Sequence, residues 1–113
     1  MVPCNICDDV TFGKLYRLFE SCNVIKAVVF GSFARGDQSR RSDIDLMLIQ
    51  ETSARFFDRY NGLYANISKL LSGRPVDLLV YTEDELNTMS LRKFIQHILR
   101  EGVVIYEQNA ATS

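Results

Sequence analysis

Apolar residues along this chain fall either at helical spacing or in short, nearly continuous runs, and the change from one to the other divides it into elements. Leu15, Leu18, Phe19 and Cys22 fall on one face of a helix that Asp8 or Asp9 can cap and Asn23 ends. Ile25 to Phe30 then forms a short β-branched and aromatic run, stopped by Gly31, which predicts a strand. Gly31 to Gly36 is a turn able to open a short helix, and Asp37 to Ser42 reads as an exposed loop. Ile44 to Ile49 is apolar except for Asp45 and predicts a second strand. Phe56, Tyr60, Leu63, Ile67 and Leu70 or Leu71 mark a second amphipathic helix, which Ser72-Gly73-Arg74-Pro75 stops. Val76 to Tyr81 predicts a third strand. Thr82 to Asn87 reads as an acidic connection. Leu91, Phe94, Ile95, Ile98 and Leu99 give the apolar face of a last helix that Gly102 closes, and Val103 to Tyr106 adds a short fourth strand.

This order predicts an α+β (mixed α/β) fold, a small mixed sheet with helices packed on it. A full helix between the second and third strands favours a parallel crossover there. The 113 residues suit one domain, with a core over about 10–106 and with 1–8 and 108–113 expected to be flexible.

Charge narrows the possible partners. A net charge of −1 argues against a broad nucleic-acid-binding surface. No apolar run is long enough to span a membrane, and no signal segment is evident, so a cytoplasmic protein is the expectation. Cys4-Asn5-Ile6-Cys7 has the spacing of a zinc knuckle, but no second pair follows and His97 is the single histidine. A reduced N-terminal pair is the simpler reading. His97 sits beside the apolar face of the last helix, where a structural or surface role is expected.

The chemistry of the chain is concentrated in three places. Gly31-Ser32 forms a tight hydroxyl-bearing turn after a strand. Asp43 and Asp45 alternate so that both project to one side of the next strand, and Asp77 lies on a third strand at a level where it can face them. Asp45 interrupts an apolar strand, where a lone carboxylate is costly. Oxygen ligands without supporting histidine or cysteine select Mg²⁺ or Mn²⁺, and three carboxylates can hold one or two such ions. Glycine lets the backbone approach a phosphate, and the Ser32 hydroxyl can donate to it. Arg35 is either an anion contact or a plain surface residue. Arg40 and Arg41 read as solvated loop residues, Arg74 as a surface residue beside a turn, and Phe33 as packing beneath the Gly31 turn.

Gly31-Ser32, the ten residues Phe33 to Ser42, Asp43-Ile44-Asp45 and then Asp77 together resemble the nucleotidyltransferase superfamily that shares its palm with DNA polymerase β. Gly31-Ser32-Phe33-Ala34-Arg35-Gly36 and Ser42-Asp43-Ile44-Asp45-Leu46 look most like the minimal nucleotidyltransferases, which include antitoxins paired with helical HEPN-domain proteins. The resemblance implies that Asp43 and Asp45 bind two metal ions and that Asp77 binds the catalytic one and helps activate an acceptor hydroxyl. It implies that Gly31 and Ser32 hold the triphosphate of ATP or another nucleoside triphosphate. The reaction it implies is transfer of a nucleoside monophosphate, in the antitoxin branch AMP to a partner tyrosine. A different reading keeps the fold and the nucleotide pocket but has the chain act by occupying its partner. An RNA-end nucleotidyltransferase is disfavoured by the near-neutral charge. A homo-oligomer or a complex with a helical HEPN-type partner is expected, because the acceptor must come from elsewhere.

Overall fold

The computed structural model describes residues 6–36, 43–88 and 92–108. The order of elements is α1 (Asp9–Ser21), β1 (Val24–Phe30), α2 (Ser32–Arg35), β2 (Ile44–Gln50), α3 (Phe56–Leu70), β3 (Val76–Tyr81), α4 (Glu83–Thr88), α5 (Lys93–Glu101) and β4 (Val103–Glu107). Local chemistry explains most of the boundaries. Asp8 caps α1 by accepting from the Thr11 N–H at 2.7 Å, and Asn23 leaves the helix in the left-handed region, at φ 59°. α3 ends at Ser72 and Gly73, with φ of 59° and 72°. There the Gly73 N–H donates back to the Ser68 carbonyl at 2.8 Å, a left-handed helix ending that suits glycine.

The four strands form one sheet in the order β3-β2-β1-β4. β1 is antiparallel to both β2 and β4, while β2 and β3 are parallel. The parallel pair requires a crossover, which α3 supplies, as the sequence pattern predicts. Side-chain alternation divides the core in two. On one face Val24, Ala27, Val29, Ile44, Leu46, Leu48, Leu78 and Val80 meet Leu15 and Phe19 of α1 and Leu63 and Ile67 of α3. Burying each of the Val, Leu, Ile and Phe side chains among them contributes roughly 1.5–3 kcal/mol. Ile6 joins this face, although it falls within the 1–8 stretch expected to be flexible. On the other face Val28 and Met47 meet Ile98 of α5, with Phe30, Leu79, Tyr81 and Leu86 around them. This second face is the thinner one.

Two readings of the pattern are corrected. Thr82 to Asn87 is largely helical, because Thr82 and Glu85 cap each other reciprocally. The Glu85 N–H donates to the Thr82 hydroxyl at 3.2 Å, and the Thr82 N–H donates to Glu85 Oε1 at 3.0 Å. The apolar face assigned to the last helix is also narrower than expected. Ile95 and Ile98 are buried, but Phe94 and Leu99 are 55% and 48% exposed, since α5 meets the sheet along a single i, i+3 line. Leu91 lies outside the described residues.

Gly102 passes so close to β1 that a Cβ there would collide with a Val28 methyl group and sit 2.6 Å from the Ile98 carbonyl. α5 is thereby held tightly to β1 at its C-terminal end. Among the described residues, no helix is long and apolar enough to cross a membrane.

Candidate functional site

Strand direction gathers the chemistry at one end of the sheet. β2 and β3 run the same way, so their N-terminal ends lie side by side, and the Ile44 N–H donates to the Pro75 carbonyl at 2.9 Å. β1 runs against them, so its C-terminal end arrives at the same place. Phe30 is the partner of Asp45, and Asp45 is the partner of Asp77. Directly paired residues point to the same face. Phe30, Asp45 and Asp77 therefore form a row across three strands on the thinner face, with Gly31-Ser32 continuing from its Phe30 end.

The carboxylates interact. Burial pushes the Asp45 carboxyl up to about 6, and a hydrogen bond to Asp77, the charge of Asp77 and the charge of Asp43 push in the same direction. The positive charge of Arg35 opposes them. At neutral pH the folded chain thus crowds negative charge at a partly buried point. Asp43 stands just before β2, exposed, with its field reaching Asp45.

Gly31 is required on two grounds. Its φ of 74° and ψ of −149° belong to a region essentially reserved for glycine. A Cβ at this position would also collide with the Asp45 carboxylate. The turn and the carboxylate strand are therefore in contact through this glycine. Its carbonyl accepts from the Ala34 and Arg35 N–H groups, both at 3.1 Å, which starts α2 and places Ser32 at its first position. Phe33 is buried beneath the turn as the sequence predicts, and the Arg74 guanidinium lies over its ring, 5.4 Å from the centroid. Arg74 is thus a packing residue more than a plain surface one.

The structure brings Gly31, Asp45 and Asp77 together and places Ser32, Arg35 and Asp43 at the rim. Arg40 and Arg41, Cys4 of the cysteine pair, and residues 1–5 and 109–113 of the two ends lie outside the described residues. Cys7 and Cys22 are both half-buried against the core, and Cys22 is a free thiol. His97 is an exposed helix residue, 3.4 Å from Glu101.

Donor chemistry and spacing decide which cation this site fits. The donors are hard oxygens, and their mutual repulsion is what a divalent cation relieves, so the donor set fits Mg²⁺ or Mn²⁺. Among the described residues no three groups are close enough to hold a metal ion by themselves. Two carboxylates in contact still suit an ion of the Mg²⁺ type, which takes one or two carboxylates and completes its shell with waters and substrate phosphates.

One buried charge escaped the sequence reading. Arg59 of α3 is 8% exposed. It donates to both Glu85 oxygens, at 2.6 and 3.0 Å, and to the Val80 and Ala54 carbonyls, each at 3.2 Å. It ties α3, the end of β3 and α4 into one unit. The signal that could have found it is Thr82-x-x-Glu85, the pattern of a capping box.

Residues 14–111 match the family described as polymerase beta, nucleotidyltransferase. The chain belongs to this nucleotidyltransferase family. It is 32% identical over 81 residues to a protein of Methanocaldococcus jannaschii provisionally named a protein adenylyltransferase, covering 72% of this chain and 77% of that one. It is similar to a solved minimal nucleotidyltransferase, at 26% identity and a TM-score of 0.63, over 83% of this chain and 88% of that one. A further likeness, of fold alone at 14% identity and TM-score 0.55, covers 88% of this chain and 71% of an MNT antitoxin. That antitoxin was solved in complex with a tri-AMPylated HEPN toxin from Shewanella oneidensis. The four-stranded mixed sheet with helices on both faces is the fold of this nucleotidyltransferase family, as the resemblance in the sequence implies.

Proposed function

We propose that this nucleotidyltransferase moves AMP from ATP to a hydroxyl on a protein, with a tyrosine of a HEPN-type partner as the acceptor. The observation that carries the reading is the direct pairing of Asp45 with Asp77 on parallel strands, with Gly31 against Asp45. The adenylyl group and the protein acceptor are supported by the relatives' names and by the AMPylated partner of the antitoxin.

In this reading Gly31 lets the triphosphate approach the backbone, and the Ser32 hydroxyl donates to its oxygens. Arg35 faces the same anion, at the rim where pyrophosphate departs. Asp43, Asp45 and Asp77 hold one or two divalent ions. Those ions, when bound, supply neutralisation of phosphate charge and acidification of the acceptor hydroxyl. The acceptor oxygen attacks the α-phosphorus, the bond from the α-phosphorus to the bridging oxygen breaks, and pyrophosphate leaves in line. Asp77 borders the acceptor and takes up the hydroxyl proton directly or through water. Asp45 must be ionised to serve, so binding strengthens as pH rises through about 6.

Calorimetric titration with ATP and Mg²⁺ tests the site, and transfer from α-labelled ATP to a co-purified HEPN protein tests the acceptor. Wild type is expected to bind MgATP, and Gly31→Ala and Asp45→Ala to lose it. Equal binding by wild type and Asp45→Ala would show the site to be elsewhere. Binding without transfer, together with neutralisation of the partner by Asp77→Ala, would favour action by occupancy over catalysis.

A further inference from the structure

An aromatic ring stands largely in solvent against Phe30, the strand partner of Asp45. Phe94, in the first turn of α5, is 55% exposed. Its ring meets Phe30 edge-on, at 6.1 Å between centroids and 88° between planes. Phe30 is the residue before Gly31 and the partner of Asp45. Adjacent strands lie about 4.8 Å apart, so Phe30 is one strand spacing from Asp45 and about two from Asp77. The contact with Phe30 sets the inclination of the Phe94 ring, and more than half of the residue stays open to solvent, one contact away from the residue that leads into the Gly31 turn.

Position in the row selects the occupant. Asp77, at the β3 end, borders the acceptor in the reading above. Phe30 and Phe94 are at the opposite, β1 end, the strand that leads into the phosphate turn. A ring there adjoins the donor nucleotide and not the acceptor. We infer that the open face of Phe94, propped by Phe30, is the shelf on which the base of the nucleoside triphosphate stacks. This rests on the nucleotidyl-transfer reading of the site. Stacking is tolerant of base identity because every base has a π-face. The shelf therefore supplies affinity and orientation for the nucleoside, and ATP and GTP should depend on it alike.

The test compares MgATP with magnesium tripolyphosphate, which has the phosphates and no base. Wild type, Phe94→Ala, Phe94→Leu and Phe94→Trp are titrated as full chains, with circular dichroism confirming the fold of each. Phe94→Ala and Phe94→Leu are expected to weaken ATP and GTP about tenfold, from the loss of one stacking contact, and to leave tripolyphosphate affinity unchanged. Phe94→Trp should keep ATP affinity. Because the sequence has no tryptophan, its emission reports on position 94 alone, and ATP should quench it while tripolyphosphate does not. Unchanged ATP affinity in Phe94→Ala, as expected of a ring kept for a protein partner, overturns the inference. Equal weakening of ATP and tripolyphosphate overturns it as well, because the ring would then act on the phosphate turn. Failure of wild type to bind either ligand would sink the transfer reading itself, a result separate from loss of the Phe94 effect.

Discussion

Asp45 is the residue where folding and function conflict. Burial and the neighbouring carboxylates raise its carboxyl from 3.8 to about 6, so the folded chain favours the neutral acid. The stability this contributes is complete below pH 3.8 and is lost as pH rises through about 6. Above that pH the ionised group strains the fold in the absence of a cation. Solvent screening at this half-buried site leaves about 1 kcal/mol of effect. Asp45→Asn in chelator at pH 8 is therefore expected to raise the melting temperature by about 4 °C, with the gain fading by pH 4. The same substitution should abolish MgATP binding. A lower melting temperature at pH 8 would contradict the crowding of charge described at this site.

At the scale of elements, Arg59 and Glu85 hold α4 against α3 and β3. Hydrogen bonds from Arg59, and then from the Thr82 backbone, hold the Glu85 carboxyl down at about 2. A lowered carboxylate contributes stability that is complete above pH 4.5 and lost as pH falls through about 2. Glu85→Ala leaves a buried guanidinium without its counter-charge, but Glu85 itself is 44% exposed and screened by solvent, so the substitution is expected to lower unfolding free energy by about 1.5 kcal/mol at pH 7. Urea titrations of variant and wild type should converge as pH falls from 4.5 toward 2. A constant difference across that range would point to lost packing instead. The strands were legible because short apolar runs bounded by glycine, proline and polar turns are too short for helices of the usual length. Asp45 and Asp77 were legible as odd charges within them. α4 was not, since its apolar content is little more than Leu86 and its start is encoded in a cap and not in a stripe. Phe94 and Leu99 were read as core because helical spacing alone does not tell how wide a face the sheet covers.

For the whole molecule, net charge is the simplest discriminator among transferases. At −1, the chain lacks the phosphate-neutralising excess that non-specific nucleic-acid binding needs. Fluorescence anisotropy with labelled single-stranded DNA and RNA at low salt is expected to show no binding at micromolar protein. Tight binding that fades steeply with added salt would revive an RNA-end acceptor. The proposed function points the same way: its acceptor would be a hydroxyl carried by a docked protein and not the end of a nucleic acid.

The tight seat of Gly102 against β1 has a mechanical consequence. It makes a fulcrum, and α5 is the arm. Phe94 lies eight residues from it, about 12 Å along the helix axis. A tilt of about 10° at Gly102 would swing the Phe94 ring by about 2 Å, enough to open or close a stack. β4 begins directly after the fulcrum and lies at the border of the sheet. A pull on that border strand would therefore reach the ring at the far end of the arm through Gly102, without touching a carboxylate.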